Sequence, residues 1–325
     1  MKVLYDLEEL PADLPHPVAT IGNFDGMHLG HQQLMRDLAA RAEQTHGTPA
    51  VVTFHPHPLQ VLAPNNAPRQ IQTLDQKLAA MQRLGIRLVV VIPFTLELAK
   101  TRARDFALAI LRDKLKIREI YVGPNFAFGH RREGSFNLLK EIGAETGFFT
   151  GRIHQVQFRG NRVSSTAVRQ ALVAGQVALA RRLLGRPFEL QGEIVHGAAV
   201  GSGIKVPTAN LRTRNELIPR NGVYAVIMKV AGGRYYGVTN IGHRPTVNPK
   251  AGDSEVSIET HLFDFQGDLY GQEAALELLL HMRDERRFPD TRSLVAQIGT
   301  DIGRARRYLK WFERTAPREW VGNVR

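Results

Sequence analysis

Cysteine is absent from the 325 residues. That excludes disulfides, thiolate nucleophiles and Cys-ligated zinc, and makes a cytoplasmic location the expectation. Any metal must be held by oxygen or imidazole ligands. Long apolar runs are lacking too: stretches such as Leu88 to Phe94 fall far short of the ~20 residues that span a bilayer, so a soluble chain with no membrane partner is expected. The opening residues, MKVLYDLEELP, are acidic and have no continuous apolar segment, unlike a signal peptide. The interleaving of aromatic and basic residues typical of RNA readers is also missing.

What is present is a formal charge of +12, from 43 Lys and Arg against 31 Asp and Glu. It favours anionic partners. Scattered as it is, the charge is read as a solvated surface with phosphate sites for small-molecule substrates, and nucleic acid is not expected as a partner. With 43% hydrophobic residues, the chain has enough apolar material for two domains of ordinary size. Oligomeric state is not legible from it.

From Val18 to about Leu115 short apolar runs alternate with helical patterns, as in βαβ units around a parallel sheet. Strands are expected at Val18 to Gly22, Ala50 to Phe54, Ile86 to Ile92 and Glu119 to Val122. The helices between them should include one carrying Leu34, Leu38 and Ala42, and others over Asp75 to Leu84 and Arg102 to Leu115. A helical region from Thr166 to about Leu184 ends at Gly185-Arg186-Pro187, where the periodicity changes, so the domains are divided into residues 1–184 and 185–325. Beyond it, strands are expected at Gly222 to Val230, Tyr235 to Thr239, Ser257 to Phe265 and Glu273 to Met282. They read as a small antiparallel barrel closed by an amphipathic helix, Ser293 to Phe312.

Gly22-Asn23-Phe24-Asp25-Gly26-Met27-His28-Leu29-Gly30-His31 lies where a strand feeds a helix. Glycines there let backbone approach an anion, first-turn amides are unpaired, and the helix dipole favours negative charge. His28 and His31, one turn apart, add two donors. The plainer alternative is one capping histidine and one surface histidine. A shared metal is another, although no third ligand is obvious nearby.

This segment resembles the first motif of the HxGH nucleotidylyltransferases, and more closely that of the bacterial bifunctional riboflavin kinase/FAD synthetases. Three further segments are similar to that family's motifs, in order: Phe54-His55-Pro56-His57-Pro58; Val122 to Gly129 followed by Arg132 and Gly134; and Val163 to Arg169. The resemblance implies a Rossmann-like α/β first domain with a parallel sheet. In it, Gly22, Asn23, Phe24, Asp25, His28, Gly30, His31, Ser164, Ser165, Thr166 and Arg169 would serve ATP. Phe54, His57, Pro58, Asn125 and Phe128 would serve the flavin. His28, His31 and Arg169 are the implied catalytic residues, and no general base is required, because the phosphate of FMN has a second pKa of about 6 and is ionised near neutrality.

In the second half, Val206-Pro207-Thr208-Ala209-Asn210 follows a glycine-rich stretch that contains Gly197, Gly201 and Gly203. Alone, this reads as a turn before a strand. Together with Asn221 to Ala225, Val238 to Thr246, Glu259-Thr260-His261, Asp268 to Gly271, and the Arg283, Phe288, Gln297, Asp301 and Arg306 series, it resembles a riboflavin kinase barrel. That resemblance assigns Glu259 as base, Thr208 and Asn210 as Mg²⁺ ligands, Gly197, Gly201, Gly203, Lys205 and Pro207 to ATP, and Arg283 and Phe288 to flavin. Read by periodicity alone, Glu259 is equally an exposed strand residue. The family loop usually reads GRxLGFPTAN, whereas this chain has GSGIKVPTAN, and Lys205 is expected to supply the phosphate charge of the replaced arginine.

The implied activity is phosphorylation of riboflavin to FMN and adenylylation of FMN to FAD, with ATP, riboflavin and FMN as substrates. The alternative keeps only the adenylyltransferase; Thr208, Asn210 and Glu259 argue against it.

Overall fold

The structure is a computed structural model that describes residues 1–11, 13–153, 157–158, 161–196, 207–244 and 255–321. The chain divides into two compact units, Met1–Ser165 and Thr166–Arg325.

The first unit is built on β1 (Lys2–Leu4), β2 (Pro17–Ile21), α1 (Leu29–Gln44), β3 (Thr48–His55), α2 (Pro58–Leu62), α3 (Leu74–Arg83) and β4 (Leu88–Pro93). It continues through α4 (Leu96–Lys100), α5 (Ala103–Phe106), a π-helical stretch Ala107–Lys114, β5 (Glu119–Val122), α6 (Phe136–Thr146) and β6 (Phe149–Arg152). The strands pair in parallel in the order β1-β4-β3-β2-β5-β6. A short antiparallel pair follows, β7 (Gln157–Phe158) with β8 (Asn161–Arg162).

Both sheet faces are covered, which explains the continuous apolar runs. Ala19, Ile21, Ala50 and Val52 pack with Phe106, Leu111, Leu139 and Ile142 on one side. Val18, Val51, Val89 and Val91 pack on the other with Leu34, Met35 and Leu38 of α1 and Ala80 and Met81 of α3. From β2 the chain moves outward through β3 and β4, then returns to the opposite side of β2 for β5 and β6. Ligands of such sheets bind outside the strand C-termini at this reversal. The loop leaving β2, Gly22 to His28, stands there.

The second unit opens with α7 (Ser165–Val173), whose first residue belongs to the first unit, and α8 (Val177–Leu184). The sequence division at 184/185 leaves both helices with the first domain, whereas the compact unit takes them from Thr166 onward. The physical reason is visible in α8. It buries Val177, Ala180 and Leu184, and Arg181 donates to the carbonyl of Leu279 (3.4 Å) and lies 4.8 Å from the ring centre of Phe312.

Six strands follow: β9 (Phe188–Val195), β10 (Ala209–Thr213), β11 (Gly222–Val230), β12 (Gly233–Arg244), β13 (Glu255–Leu262) and β14 (Glu273–Arg283). They close an antiparallel barrel in the order β10-β13-β12-β11-β14-β9. Val230 pairs with Gly233, so Ala231 (φ 52°) and Gly232 (φ 70°) make a two-residue hairpin turn of the type that needs two positive φ values. α9 (Thr291–Thr315) lays Ala305, Leu309 and Phe312 over Val223, Ala225 and Ile227, and α10 (Arg318–Val321) ends the described chain. No described helix is long and apolar enough to cross a membrane.

Candidate active sites

In the β2–α1 loop, Phe24 (φ 49°), Gly26 (φ 83°) and Met27 (φ 40°) take left-handed backbone, and Met27 and Phe24 are buried. A Cβ on Gly26 would lie 2.9 Å from Ile71, so glycine is required by space as well as by φ. Asp25 is buried, and its carboxylate accepts the amides of Ile71 (3.1 and 3.0 Å) and Gln72 (3.3 Å). Its carbonyl accepts the hydroxyl of Ser165 at 2.9 Å. Asp25 therefore braces the loop from within.

His28 caps α1: its Nδ1 accepts the backbone N–H of His31 (3.3 Å), so the neutral ring carries its proton on Nε2. The two imidazoles stack at 3.7 Å with planes 17° apart, and Phe24 meets His31 edge-on at 5.3 Å. Burial, then the neighbouring His28 and Lys77, hold His31 well below the usual imidazole value. His57 caps α2 through Nδ1, which accepts the amide of Leu59 at 3.2 Å. That puts the His57 proton on Nε2, 3.1 Å from the Asn23 side-chain amide. The Asn23 atom placed there is Nδ2; because two donors cannot bond each other, the amide is assigned turned over, with its oxygen accepting from His57. Pro58 begins α2.

Phe54, at the end of β3, meets Phe94 edge-on (5.7 Å) and lies 6.4 Å from Phe106, which in turn touches Phe128 at 6.1 Å. Phe126 stacks on Phe128 at 5.1 Å. Two backbone bonds between Phe128 and Gly134 (3.0 and 2.8 Å) pin the loop after β5, and exposed Asn125 precedes that bridge. The structure thus gathers Phe54 and Phe128 into one aromatic cluster; Asn125 stays at the surface. Ser164 and Ser165 are half-buried in the first unit, while Thr166 and Arg169 lie on α7 in the second.

In the barrel, Asn210 of β10 is paired directly with Glu259 of β13, and Glu259 with Asn240 of β12, which is paired with Val223 of β11. Cross-strand partners share a face, and Val223 packs beneath α9. Asn210, Glu259 and Asn240 thus form one polar row on the outer face of the barrel. Ser257 donates to Glu259 at 2.9 Å. Thr208 and Pro207 immediately precede β10, and the carbonyl of Pro207 lies 3.0 Å from Nδ1 of His261. Gly197, Gly201, Gly203 and Lys205 lie outside the described residues.

Arg283 ends β14, paired with Val223, and binds the carboxylate of Asp301 through Nε (3.2 and 3.0 Å) and Nη2 (2.8 Å). Its Nη1 donates to the carbonyl of Asp284 at 2.9 Å, and Gln297 donates to Asp301 at 2.8 Å. Phe288 lies between Arg283 (5.8 Å) and Arg286 (4.9 Å).

Sequence reasoning missed two groups. Asn240 lies inside the Val238 to Thr246 motif but was given no role; its place in the polar row follows from the β12–β13 register. Lys77 is buried on α3 beside the HxGH loop, where a helical stripe position for lysine offered no signal. Among the described residues, no group of three or more His, Asp or Glu side chains is placed to hold a metal ion, so the HxGH pair gains no third ligand.

An α/β unit with a histidine-bearing loop at its strand reversal and an antiparallel barrel with a carboxylate–amide row give the chain the two modules of a bifunctional transferase. Family models described as FAD synthetase and riboflavin kinase match residues 10–167 and 184–309. The chain belongs to the bifunctional riboflavin kinase/FMN adenylyltransferase family. It is 38% identical over 306 residues to the member from Pseudomonas fluorescens, covering 94% of this chain and 97% of that one. Against the member from Escherichia coli (strain K12), identity is 39% over 293 residues, covering 90% and 92%. A crystal structure from Streptococcus pneumoniae, named a macrolide-efflux protein, shares the fold with a TM-score of 0.84 and 26% identity, over 94% of this chain and 98% of that one.

Proposed function

We propose that this chain phosphorylates riboflavin to FMN at the barrel row and adenylylates FMN to FAD, releasing pyrophosphate, at the HxGH loop, with ATP as donor in both steps. The observation that carries the reading is the placement of carboxylates. Riboflavin offers a neutral hydroxyl, so phosphoryl transfer needs a base. Glu259 stands in the row with Asn210. FMN brings an ionised phosphate, and the one carboxylate of the β2–α1 loop, Asp25, is spent on backbone amides.

At the barrel, Glu259 takes the proton of the riboflavin hydroxyl while Arg283 and Phe288 hold the flavin. Mg²⁺ suits the donors available: the Thr208 hydroxyl and the Asn210 amide oxygen are hard ligands, and this ion commonly takes few protein ligands beside water and phosphates. When bound, it neutralises charge on the transferring phosphates. Gly197, Gly201, Gly203, Lys205 and Pro207 complete the ATP site.

At the sheet, His28, His31 and the Asn23 amide donate to ATP phosphates, with Gly22 and Gly30 allowing close approach and Phe24 and Asp25 shaping the loop. Ser164, Ser165, Thr166 and Arg169 are assigned to ATP by their motif, with Arg169 stabilising charge as pyrophosphate leaves. Phe54, His57, Pro58, Asn125 and Phe128 receive the flavin. On this reading the functional boundary stays at 184/185, and the chain works in the cytoplasm, where ATP is available.

Labelled ATP tests both steps at once. With riboflavin and unlabelled FMN both supplied, label at the γ-phosphate should appear in FMN and in the FAD made from it, and label at the α-phosphate, among the flavins, only in FAD. Flavin labelled from the γ-position alone would remove the adenylyltransferase; flavin labelled from the α-position alone, with riboflavin left unconverted, would remove the kinase.

A further inference from the structure

Arg131 (φ 50°, ψ 24°) and Arg132 (φ 63°) are consecutive non-glycine residues in left-handed backbone. Side-chain-bearing residues seldom adopt this conformation, and two in succession persist only where the surroundings impose it. Here a frame of hydrogen bonds does so. The amide of His130 donates to the carbonyl of Thr101 (2.8 Å) and its Nδ1 to that of Ala99 (3.0 Å), while the amides of Arg132 and Glu133 close turns on the carbonyls of Gly129 (3.0 Å) and His130 (3.1 Å). The Glu133 carboxylate accepts the Ala103 amide at 2.9 Å and faces Arg102 at 3.8 Å. A Cβ on Gly129 would lie 2.5 Å from the Ala103 backbone, so the two segments touch directly.

Strand order fixes where they touch. Residues 99–103 follow β4 and residues 123–134 follow β5, and the parallel strands put both at the C-terminal edge of the sheet. β3 and β2 stand between β4 and β5, so the junction spans three strand spacings, about 14 Å, along the edge from which Phe54 and the Gly22–His28 loop also leave. The ring contacts from Phe54 to Phe106 (6.4 Å) and from Phe106 to Phe128 (6.1 Å) follow the same line. Arg131 and Arg132 come three and four residues after Phe128, and both are exposed. Neither side chain makes a hydrogen bond, ion pair or ring contact among the described residues. Strained backbone, rigidly framed, thus displays two uncommitted guanidiniums beside the aromatic cluster.

We propose that Arg131 and Arg132 grip the phosphate of the flavin nucleotide and so make the adenylylation site selective for FMN over riboflavin. The proposal rests on reading the aromatic cluster as the flavin seat. A flavin held there brings one anion, the phosphate at the end of its ribityl chain, and guanidiniums bind phosphate through paired N–H donors. Riboflavin, the substrate of the other step, has no group for them to hold. The nearest carboxylate in the frame, Glu133, is engaged by the Ala103 amide and Arg102, which leaves both charges for the ligand.

The test is a double variant, Arg131→Asn with Arg132→Asn, in the full chain. Asparagine accepts left-handed backbone more readily than arginine, so the loop keeps its course while both charges go. Calorimetric titrations with FMN and with riboflavin are paired with adenylylation rates measured against FMN and against ATP. FMN affinity at one class of sites should fall, and the FMN KM rise, by about tenfold or more, with riboflavin affinity and the ATP KM within about twofold of the parent. Replacing both arginines by lysine, which restores charge without the planar fork, should recover part of the loss. Unchanged FMN binding and KM, or a loss shared equally by riboflavin or ATP, overturns the proposal. Should the parent make no FAD, the adenylyltransferase reading fails, while the difference between FMN and riboflavin binding still decides the grip.

Discussion

Asn210 and Glu259 are direct partners across β10 and β13, so an amide oxygen and a carboxylate share one outer row of the barrel next to the Pro207-Thr208 segment. Glu259→Gln keeps the shape and removes the proton acceptor. It should lower the riboflavin phosphorylation rate by about 10²- to 10⁴-fold and leave FMN adenylylation unchanged. Parallel rates from riboflavin and from FMN check this; equal loss of both would dissociate Glu259 from a base role.

The reciprocal lesion lies in the loop. Asp25→Ala leaves the Ile71 and Gln72 amides without their acceptor. Each buried unpaired group costs about 1–3 kcal/mol. Urea denaturation should show the first unit destabilised, with adenylylation lost and riboflavin phosphorylation retained. Unaltered stability would mean that Asp25 does not brace the loop.

Arg283 and Asp301 are joined by Nε and Nη2, and the Asp301 side chain is 6% exposed. Removing one partner of a buried pair is costly. Asp301→Ala should destabilise the barrel by about 3 kcal/mol and raise the riboflavin KM more than the ATP KM. A Tm within error of the parent would contradict the packing described.

Much of this was legible in the sequence where one local signal decided it. Glu119–Val122 and Gly222–Val230 have the bounds expected from apolar runs and flanking turns. The barrel and its closing helix follow from periodicity, although α9 runs from Thr291 to Thr315, beyond the apolar stripe at either end: Asp290 caps its start and the amide of Ala316 closes its last turn on the carbonyl of Phe312. Position-specific pairing was not legible. Asn240 joins the row only through the β12–β13 register, and Arg41 meets Glu119 across 78 residues. The helix expected over Arg102 to Leu115 is present but becomes π-helical after Phe106, a local change that no residue-spacing rule announces. The motif spelled out Asp25 but not its direction: only the fold shows the carboxylate turned onto backbone amides.

Acid should weaken the first unit in two windows. His31 sits well below the ordinary imidazole value of 6.5 because of burial, His28 and Lys77. The unfolded chain therefore binds the proton first, and stability present above that value declines as pH falls toward the folded pKa. Burial raises Glu119, but hydrogen bonds from Arg41, Tyr121 and His16 outweigh it, leaving a net lowering from 4.5. Its contribution is present above 4.5 and lost as pH falls through the lowered value. Urea midpoints measured from pH 8 to 3 should fall in both windows, and His31→Gln should flatten the upper one. A midpoint independent of pH between 8 and 5 would contradict a neutral, half-buried His31.

The most direct test of the two-site account is a chromatographic time course with purified protein and Mg²⁺-ATP, started separately from riboflavin and from FMN. The account predicts FMN and then FAD from riboflavin, and FAD without delay from FMN. FAD from FMN with riboflavin untouched would contradict the kinase assignment and point to the GSGIKVPTAN loop; no conversion of either flavin would contradict the account as a whole.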